Sequence, residues 1–338
     1  MYDQNEFQEL RKKLGEDLLI LAHHYQRPEV VDMGDIIGDS LALSREAANS
    51  RAKNIVFAGV RFMGETAAIL AEPTQNVYMP EPRSGCPLAD MAPYEDVKNA
   101  FDHIADISGS QPLIVTYVNT NSDVKALAGR TGGIVCTSGN AVKILEWALD
   151  QNKKVLFVSD QNLGGNAARV LGLESGDVTM LSVIGRVTDT DAIKRAKLIL
   201  WNGYCHVHTF FRPEMVEDAR KNHPGCRIIV HPEAPKAVVD LADEWGSTSG
   251  IVKFIDDAGP GSTVIVGTEV NMVTRFAKKY TDRKVIPLAP SLCPNMWSTT
   301  PSKLVSLIRD FPRERMITVP EDIATDARRA LQKMFDLS

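Results

Sequence analysis

The sequence predicts an α/β fold with parallel sheets, arranged as three similar α/β/α sandwich domains, and three observations carry that reading. Short apolar, β-branched runs alternate with segments of helical period along the whole chain, the mark of βα units rather than hairpins. The runs are followed by polar tips and Gly/Ser/Thr-rich helix starts, as strand-to-helix turns require. A weak repeat groups the runs into three blocks, each closing on a strand and a short loop with one cysteine.

In chain order the predicted strands are Leu18–Ala22, Asn54–Ala58, Asn76–Met79, Leu113–Tyr117, Gly133–Cys136, Val155–Val158, Leu198–Trp201, Arg227–Val230, Thr263–Val266 and Val285–Leu288. They are short apolar runs, most of them rich in β-branched residues. Helices fill the intervals. Ala141–Leu149 follows a Ser/Thr start and puts Val142, Leu145 and Leu149 on one face, and the C-terminal helix from Ala324 to Leu337 repeats Ala327, Leu331 and Met334 at helical spacing. The expected domains are 1–90, 91–206 and 207–293, with 294–338 packing back on the first. The block openings are LAHHYQ (21–26), TYVNTNS (116–122) and VHPEAP (230–235), and the closing loops are RSGCPL, NGYCHVH and APSLCPN.

Composition narrows the function. The chain has 338 residues, with 38 Lys+Arg against 43 Asp+Glu and a net charge of −5. An acidic chain with no Lys/Arg run is not built for nucleic acid. Its longest apolar stretches fall far short of the roughly 20 residues of a membrane span, and residues 1–13 lack the layout of a signal peptide. A cytoplasmic location is expected. The five cysteines are odd in number and scattered, unlike a secreted disulfide framework.

Cys136, inside a strand, and Cys226, at the start of one, read as core thiols. Cys86, Cys205 and Cys293 each follow a strand in a loop with Gly, Pro or His neighbours. Three thiolates from three loops could hold zinc, with His206 or His208 as the fourth ligand, or an iron–sulfur cluster. Three thiolates on a four-iron cube would leave one iron to act as a Lewis acid.

The strand tips carry acid–base candidates. Along an extended chain i and i+2 point the same way, which pairs His23 with Tyr25, Tyr117 with Asn119, and His231 with Glu233, while His24 faces away. Asp35 reads as a cap or a solvated charge. Three helix starts, at Gly38-Asp39-Ser40, at Thr137-Ser138-Gly139-Asn140 and at 246–250 around Thr248, offer backbone N–H groups and hydroxyls to anions. Each also suits ordinary capping.

With these motifs in place, the chain resembles the quinolinate synthase family. The resemblance runs through LAHHYQ, GDSLALS, GCPLA, YVNT, CTSGNAV, DQNLG, GYCHVH, VHPE, GSTSG, GTE and LCPNM, and so covers nearly all of the sequence. It implies three α/β/α domains around a pseudo-threefold axis and one [4Fe–4S] cluster on Cys86, Cys205 and Cys293. It implies a condensing, dehydrating transferase of NAD biosynthesis that joins iminoaspartate (iminosuccinate) to dihydroxyacetone phosphate, giving quinolinate, phosphate and water. His23, Ser40, Tyr117, Asn119, Ser138, His231, Glu233 and Thr248 match substrate-contacting positions, with Tyr25, Glu233 and His23 as the catalytic acid–base and orienting groups. The resemblance leaves room for a transient contact with L-aspartate oxidase as source of the imine. Departures are Gly139 in the SGN turn, GYC and CPN around two cysteines, and a long stretch between Gly164 and Cys205. A zinc lyase or hydrolase and a non-catalytic iron–sulfur sensor are the competing functions, and the acidic surface argues against the second.

Overall fold

The structure is a computed structural model that describes residues 3–182, 184–187 and 189–338. It contains three parallel sheets with helices between successive strands. The first sheet holds β1 (Leu18–His23), β2 (Ile36–Gly38), β3 (Asn54–Ala58) and β4 (Asn76–Tyr78) in the order β2-β1-β3-β4. The second holds β5 (Leu113–Tyr117), β6 (Ile134–Cys136), β7 (Val155–Val158), β8 (Val178–Met180) and β9 (Leu198–Leu200) in the order β6-β5-β7-β9-β8. The third holds β10 (Arg227–Val230), β11 (Glu244–Trp245), β12 (Thr263–Gly267) and β13 (Lys284–Pro287) in the order β11-β10-β12-β13.

All ten predicted strands are present, with ends within about one residue. The three that the sequence did not announce, β2, β8 and β11, are two or three residues long, and each lies at a sheet edge. Setting β8 aside, the three sheets share one plan: second strand, first, third, fourth. β8 sits in the long stretch between Gly164 and Cys205 and adds an outer strand beside β9, with Val178 opposite Leu198.

This strand order reverses direction between the first and third strands of each sheet. In such doubly wound sheets ligands bind beyond the carboxyl ends of the strands at that reversal. His23 ends β1 and Tyr25 follows it, Tyr117 ends β5 and Asn119 follows it, and His231 and Glu233 follow β10. The polar tips therefore fall where the topology opens a crevice in each sheet.

The chain divides into two compact units. The first comprises the chain up to Cys86, Met215–Ile229 and Thr248–Val319, and the second Pro87–Glu214, Val230–Ser247 and Pro320–Ser338. In the first, the helices Gln4–Leu14 and Pro301–Asp310 cover the first sheet, burying Phe7, Leu304 and Leu307 against Leu18, Ile20 and Val56. Fully burying one such leucine contributes about 2 kcal/mol. In the second, the helix Glu321–Leu337 lies on the helix Ser122–Arg130 and on β6. Residues 301–310 thus pack on the first sheet, and 321–337 on Ser122–Arg130 and β6. The reason is the apolar face of the last helix, Ala324, Ala327, Ala330, Leu331 and Met334, whose small residues fit a close helix crossing. Gly129 marks that crossing, since a Cβ there would stand 1.8 Å from the carbonyl oxygen of Asp326. The helix Ala141–Leu149 turns its face slightly from the expected one, burying Ala141, Ile144, Leu145 and Ala148. Among the described residues, no helix is long and apolar enough to cross a membrane.

Candidate active site

In the first unit the tip of β1 turns sharply after His23. The Tyr25 N–H donates to His23 Nδ1 at 3.2 Å, and the two rings meet edge to face with centroids 4.7 Å apart. The Tyr25 hydroxyl reaches two threonines: its oxygen lies 2.7 Å from Thr268 Oγ1 and accepts from Thr248 Oγ1 at 3.2 Å. Asn271 Nδ2 donates to the Tyr25 carbonyl at 3.4 Å. A phenol between two hydroxyls can pass a proton either way without leaving a bare charge. His24 turns elsewhere, as expected from the alternation. Its Nδ1 accepts from Arg275 Nη2 at 2.7 Å, and burial, with His23 and Arg275 adding to it, lowers its pKa from 6.5 to about 3.

Ser40 and Thr248 both stand at helix starts in this unit. The first start is capped from within the chain: Asp39 accepts from the Ala42 N–H at 2.9 Å and from Ser249 Oγ at 2.6 Å. Asp35 accepts from the Ile20 N–H and pairs with Arg11, so it anchors the N-terminal helix.

In the second unit the residues after β10 form a buried cluster. Glu233 Oε2 lies 2.5 Å from His208 Nδ1 and 3.5 Å from His231 Nδ1. The two imidazoles stack with centroids 4.2 Å apart. Asn166 Nδ2 donates to the carbonyls of Pro232 at 2.9 Å and Ala234 at 3.1 Å, fixing the backbone on both sides of Glu233. Burial acts to raise the pKa of Glu233, but the rings of His231 and His208, with hydrogen bonds from His208 and Tyr117, outweigh it and hold the group charged. Asp160 behaves oppositely. Burial and the charge of Glu233 push its pKa well above the carboxylate range. Glu233 Oε1 and Asn119 Oδ1 are buried oxygens without a hydrogen-bond partner among the described residues. Leaving such an acceptor unmatched costs about 1–3 kcal/mol, which a donor on a bound molecule would recover. Ser138 stands half-buried at the start of Ala141–Leu149, where Asn140 Oδ1 accepts from the Thr137 N–H at 2.7 Å.

None of the five cysteines is in a disulfide. Cys136 and Cys226 are core thiols, as their strand positions predict, and burial raises the Cys136 thiol. Cys86, Cys205 and Cys293 are half-buried on loops. The loops of Cys86 and Cys293, both in the first unit, are tied together: Asn295 Nδ2 donates to the Gly85 carbonyl at 2.6 Å, and Ser84 Oγ donates to the Asn295 carbonyl at 2.5 Å. Each of the three cysteines is a partly accessible thiol rather than a core residue, the kind of ligand that an iron–sulfur cluster takes. In the second unit, ligand atoms of Cys205, His208 and Glu233 lie within 4.8 Å of one another.

Sequence reasoning missed Asp160, Thr268 and Glu269 and weighed His208 only as a metal ligand. Glu269 is fully buried, its Oε2 accepts from the Asn271 N–H at 2.8 Å, and burial raises its pKa to about 8 against the pull of those N–H groups. The signals were the Asp of DQNLG and the Glu of GTE, each directly after a strand and before a helix.

Relatives bear on this geometry. A family model described as NadA, quinolinate synthetase A protein, matches residues 5–336. The quinolinate synthase of Listeria innocua serovar 6a is 43% identical over 337 residues, covering 98% of this chain and 92% of that protein. That of Corynebacterium glutamicum is 40% identical over 339 residues, covering 97% and 86%. That of Bacillus velezensis is 39% identical over 332 residues, covering 96% and 90%. A match along the whole sequence, from relatives of nearly the same length, covers every strand tip and cysteine loop described above, and the chain belongs to the quinolinate synthase family.

Proposed function

We propose that this chain is a quinolinate synthase of NAD biosynthesis, condensing iminoaspartate with dihydroxyacetone phosphate to give quinolinate, phosphate and water. The observation that carries the proposal is the buried Glu233 cluster, a charged carboxylate held by two histidines and a tyrosine with one oxygen still to be matched. Cys86, Cys205 and Cys293 would hold a [4Fe–4S] cluster, which when bound supplies a Lewis-acidic iron that polarises a substrate hydroxyl for departure.

The chain's own groups do the rest. Glu233 draws protons from carbon during the imine–enamine and keto–aldo shifts, and its charge fits it to act as base. Tyr25, between Thr248 and Thr268, donates to or accepts from the triose carbonyl. His23 and His231 orient substrate oxygens. Ser40, Ser138 and Thr248 receive carboxylate or phosphate, and Tyr117 and Asn119 complete the contacts. The substrates are small anions, which an acidic protein can still bind through local N–H and hydroxyl donors. On this reading the protein works in the cytoplasm and can receive the imine from L-aspartate oxidase. Its three blocks, 1–90, 91–206 and 207–293, each lend one cysteine and one pair of tip residues.

The test is quinolinate formation from the two substrates by protein purified without oxygen. Wild type should turn over with close to four iron and four sulfide per chain, and Cys86→Ala, Cys205→Ala and Cys293→Ala should each abolish both. One observation favours a second reading, a zinc enzyme: the approach of Cys205, His208 and Glu233. A colourless protein that carries zinc and makes no quinolinate would establish that reading instead.

A further inference from the structure

One hydrogen bond recurs three times. The helix after the third strand of each sheet donates its first N–H to the carbonyl two residues before a loop cysteine. Arg61 N–H reaches Ser84 O at 2.7 Å, Gln161 N–H reaches Gly203 O at 2.9 Å, and Val270 N–H reaches Ser291 O at 2.8 Å. The residue preceding each donor, the helix N-cap, is Val60, Asp160 or Glu269.

The two acids use both of their oxygens. Asp160 Oδ1 accepts from the Leu163 N–H at 2.7 Å, while Oδ2 accepts from the Cys205 N–H at 3.1 Å. Glu269 Oε2 accepts from the Asn271 N–H at 2.8 Å, while Oε1 accepts from the Cys293 N–H at 3.4 Å. Val60 has no acceptor. The Cys86 loop is instead held by Asn295, two residues beyond Cys293.

We propose that Asp160 and Glu269 are positioning residues for the cysteine loops, each clamping a cysteine's backbone to a helix start. One oxygen is fixed by the helix N-terminus, so the other becomes a fixed acceptor for the cysteine amide. The clamps are unequal in reach. Asp160 governs the Cys205 loop alone. Glu269 governs the Cys293 loop and, through Asn295, the Cys86 loop as well. The inference rests on the cluster reading above only for what the loops are held ready to bind; the clamp itself is a property of the protein.

The experiment is hydrogen exchange, followed by mass spectrometry, on full-length protein as purified and again after chelator has stripped its iron. Asp160→Asn and Glu269→Gln keep the shape but leave one oxygen where two are needed. Losing one hydrogen bond of ordinary net strength should speed exchange about tenfold. In Asp160→Asn, peptides over 203–206 should gain deuterium faster, with 84–87 and 291–294 unchanged. In Glu269→Gln, 291–294 and 84–87 should both speed up, with 203–206 unchanged. Asn295→Ala should release 84–87 alone, which tests the last link even if Glu269→Gln does not fold. In a second measurement, both acid variants should lose iron to chelator about tenfold faster than wild type. Unchanged exchange in the named loops, or a uniform rise in all three for both variants, would overturn the proposal. A wild type that takes up no iron or sulfide but follows the exchange pattern refutes the cluster and leaves the clamp standing.

Discussion

At the scale of single residues, Glu233 is where opposing forces are most evenly set, since burial alone would neutralise it and its neighbours keep it charged. On the proposed mechanism, in which Glu233 is the base, Glu233→Gln keeps the volume and removes that base, so kcat for quinolinate formation should fall at least a hundredfold, the usual yield of general base catalysis. Tyr25→Phe removes the hydroxyl between Thr248 and Thr268 and should lower kcat tenfold or more; near-normal turnover with the iron content intact would end its role. His24 supplies a pH dependence. Its folded pKa of about 3 lies below the unfolded 6.5, so between those values the unfolded chain binds the extra proton. Stability should therefore be full above pH 6.5 and drop as pH falls through the window, by roughly 1.4 kcal/mol per unit at the steepest. Urea titrations at stepped pH should show this slope, and His24→Gln, which keeps an acceptor for Arg275, should flatten it. The tip residues stand out in the sequence as polar residues at the ends of apolar strands, although Tyr25 lies in the turn after His23, beyond the reach of strand alternation. Asp160 and Glu269 do not, because an acid at a helix start reads as an ordinary cap. Their second acceptors serve cysteine amides 45 and 24 residues further on, a pairing visible only after folding.

Among the elements, length alone did not decide legibility. β4, β6 and β9 are three residues long, as β2 and β8 are, yet each lies within a run of four that the sequence announces: Asn76–Met79, Gly133–Cys136 and Leu198–Trp201. β2, β8 and β11 were not announced, and each pairs along one side only, at a sheet edge. The position of the last helix was illegible for a different reason. Its apolar face was plain, but nothing in that face names a partner. The complement lies in Ser122–Arg130, where Gly129 lets backbone meet backbone. Gly129→Ala drives a methyl into the Asp326 carbonyl, so the helices must separate. Overpacking of this kind costs about 1–3 kcal/mol. Thermal unfolding should report the loss, and Leu331→Ala on the facing helix should cost as much or more through the cavity it leaves.

For the molecule as a whole, the strand order common to the three sheets explains why so little sequence suffices for function. Each reversal of direction opens a crevice at strand tips, and the chain needs only a few polar residues there. Stability should register the cysteine loops together. On the proposed function the folded chain binds a cluster that stabilises it by mass action, so stripping iron should lower the midpoint of thermal unfolding by several degrees. Identical midpoints before and after chelation would mean that the folded state holds none. The interleaving of the two units has a consequence for synthesis. The ribosome finishes every segment of the first unit before it makes Glu321–Leu337, the helix that covers Ser122–Arg130 and β6. Until then the nascent second unit carries an uncovered greasy flank, an invitation to holding chaperones that the first unit, already whole, does not extend.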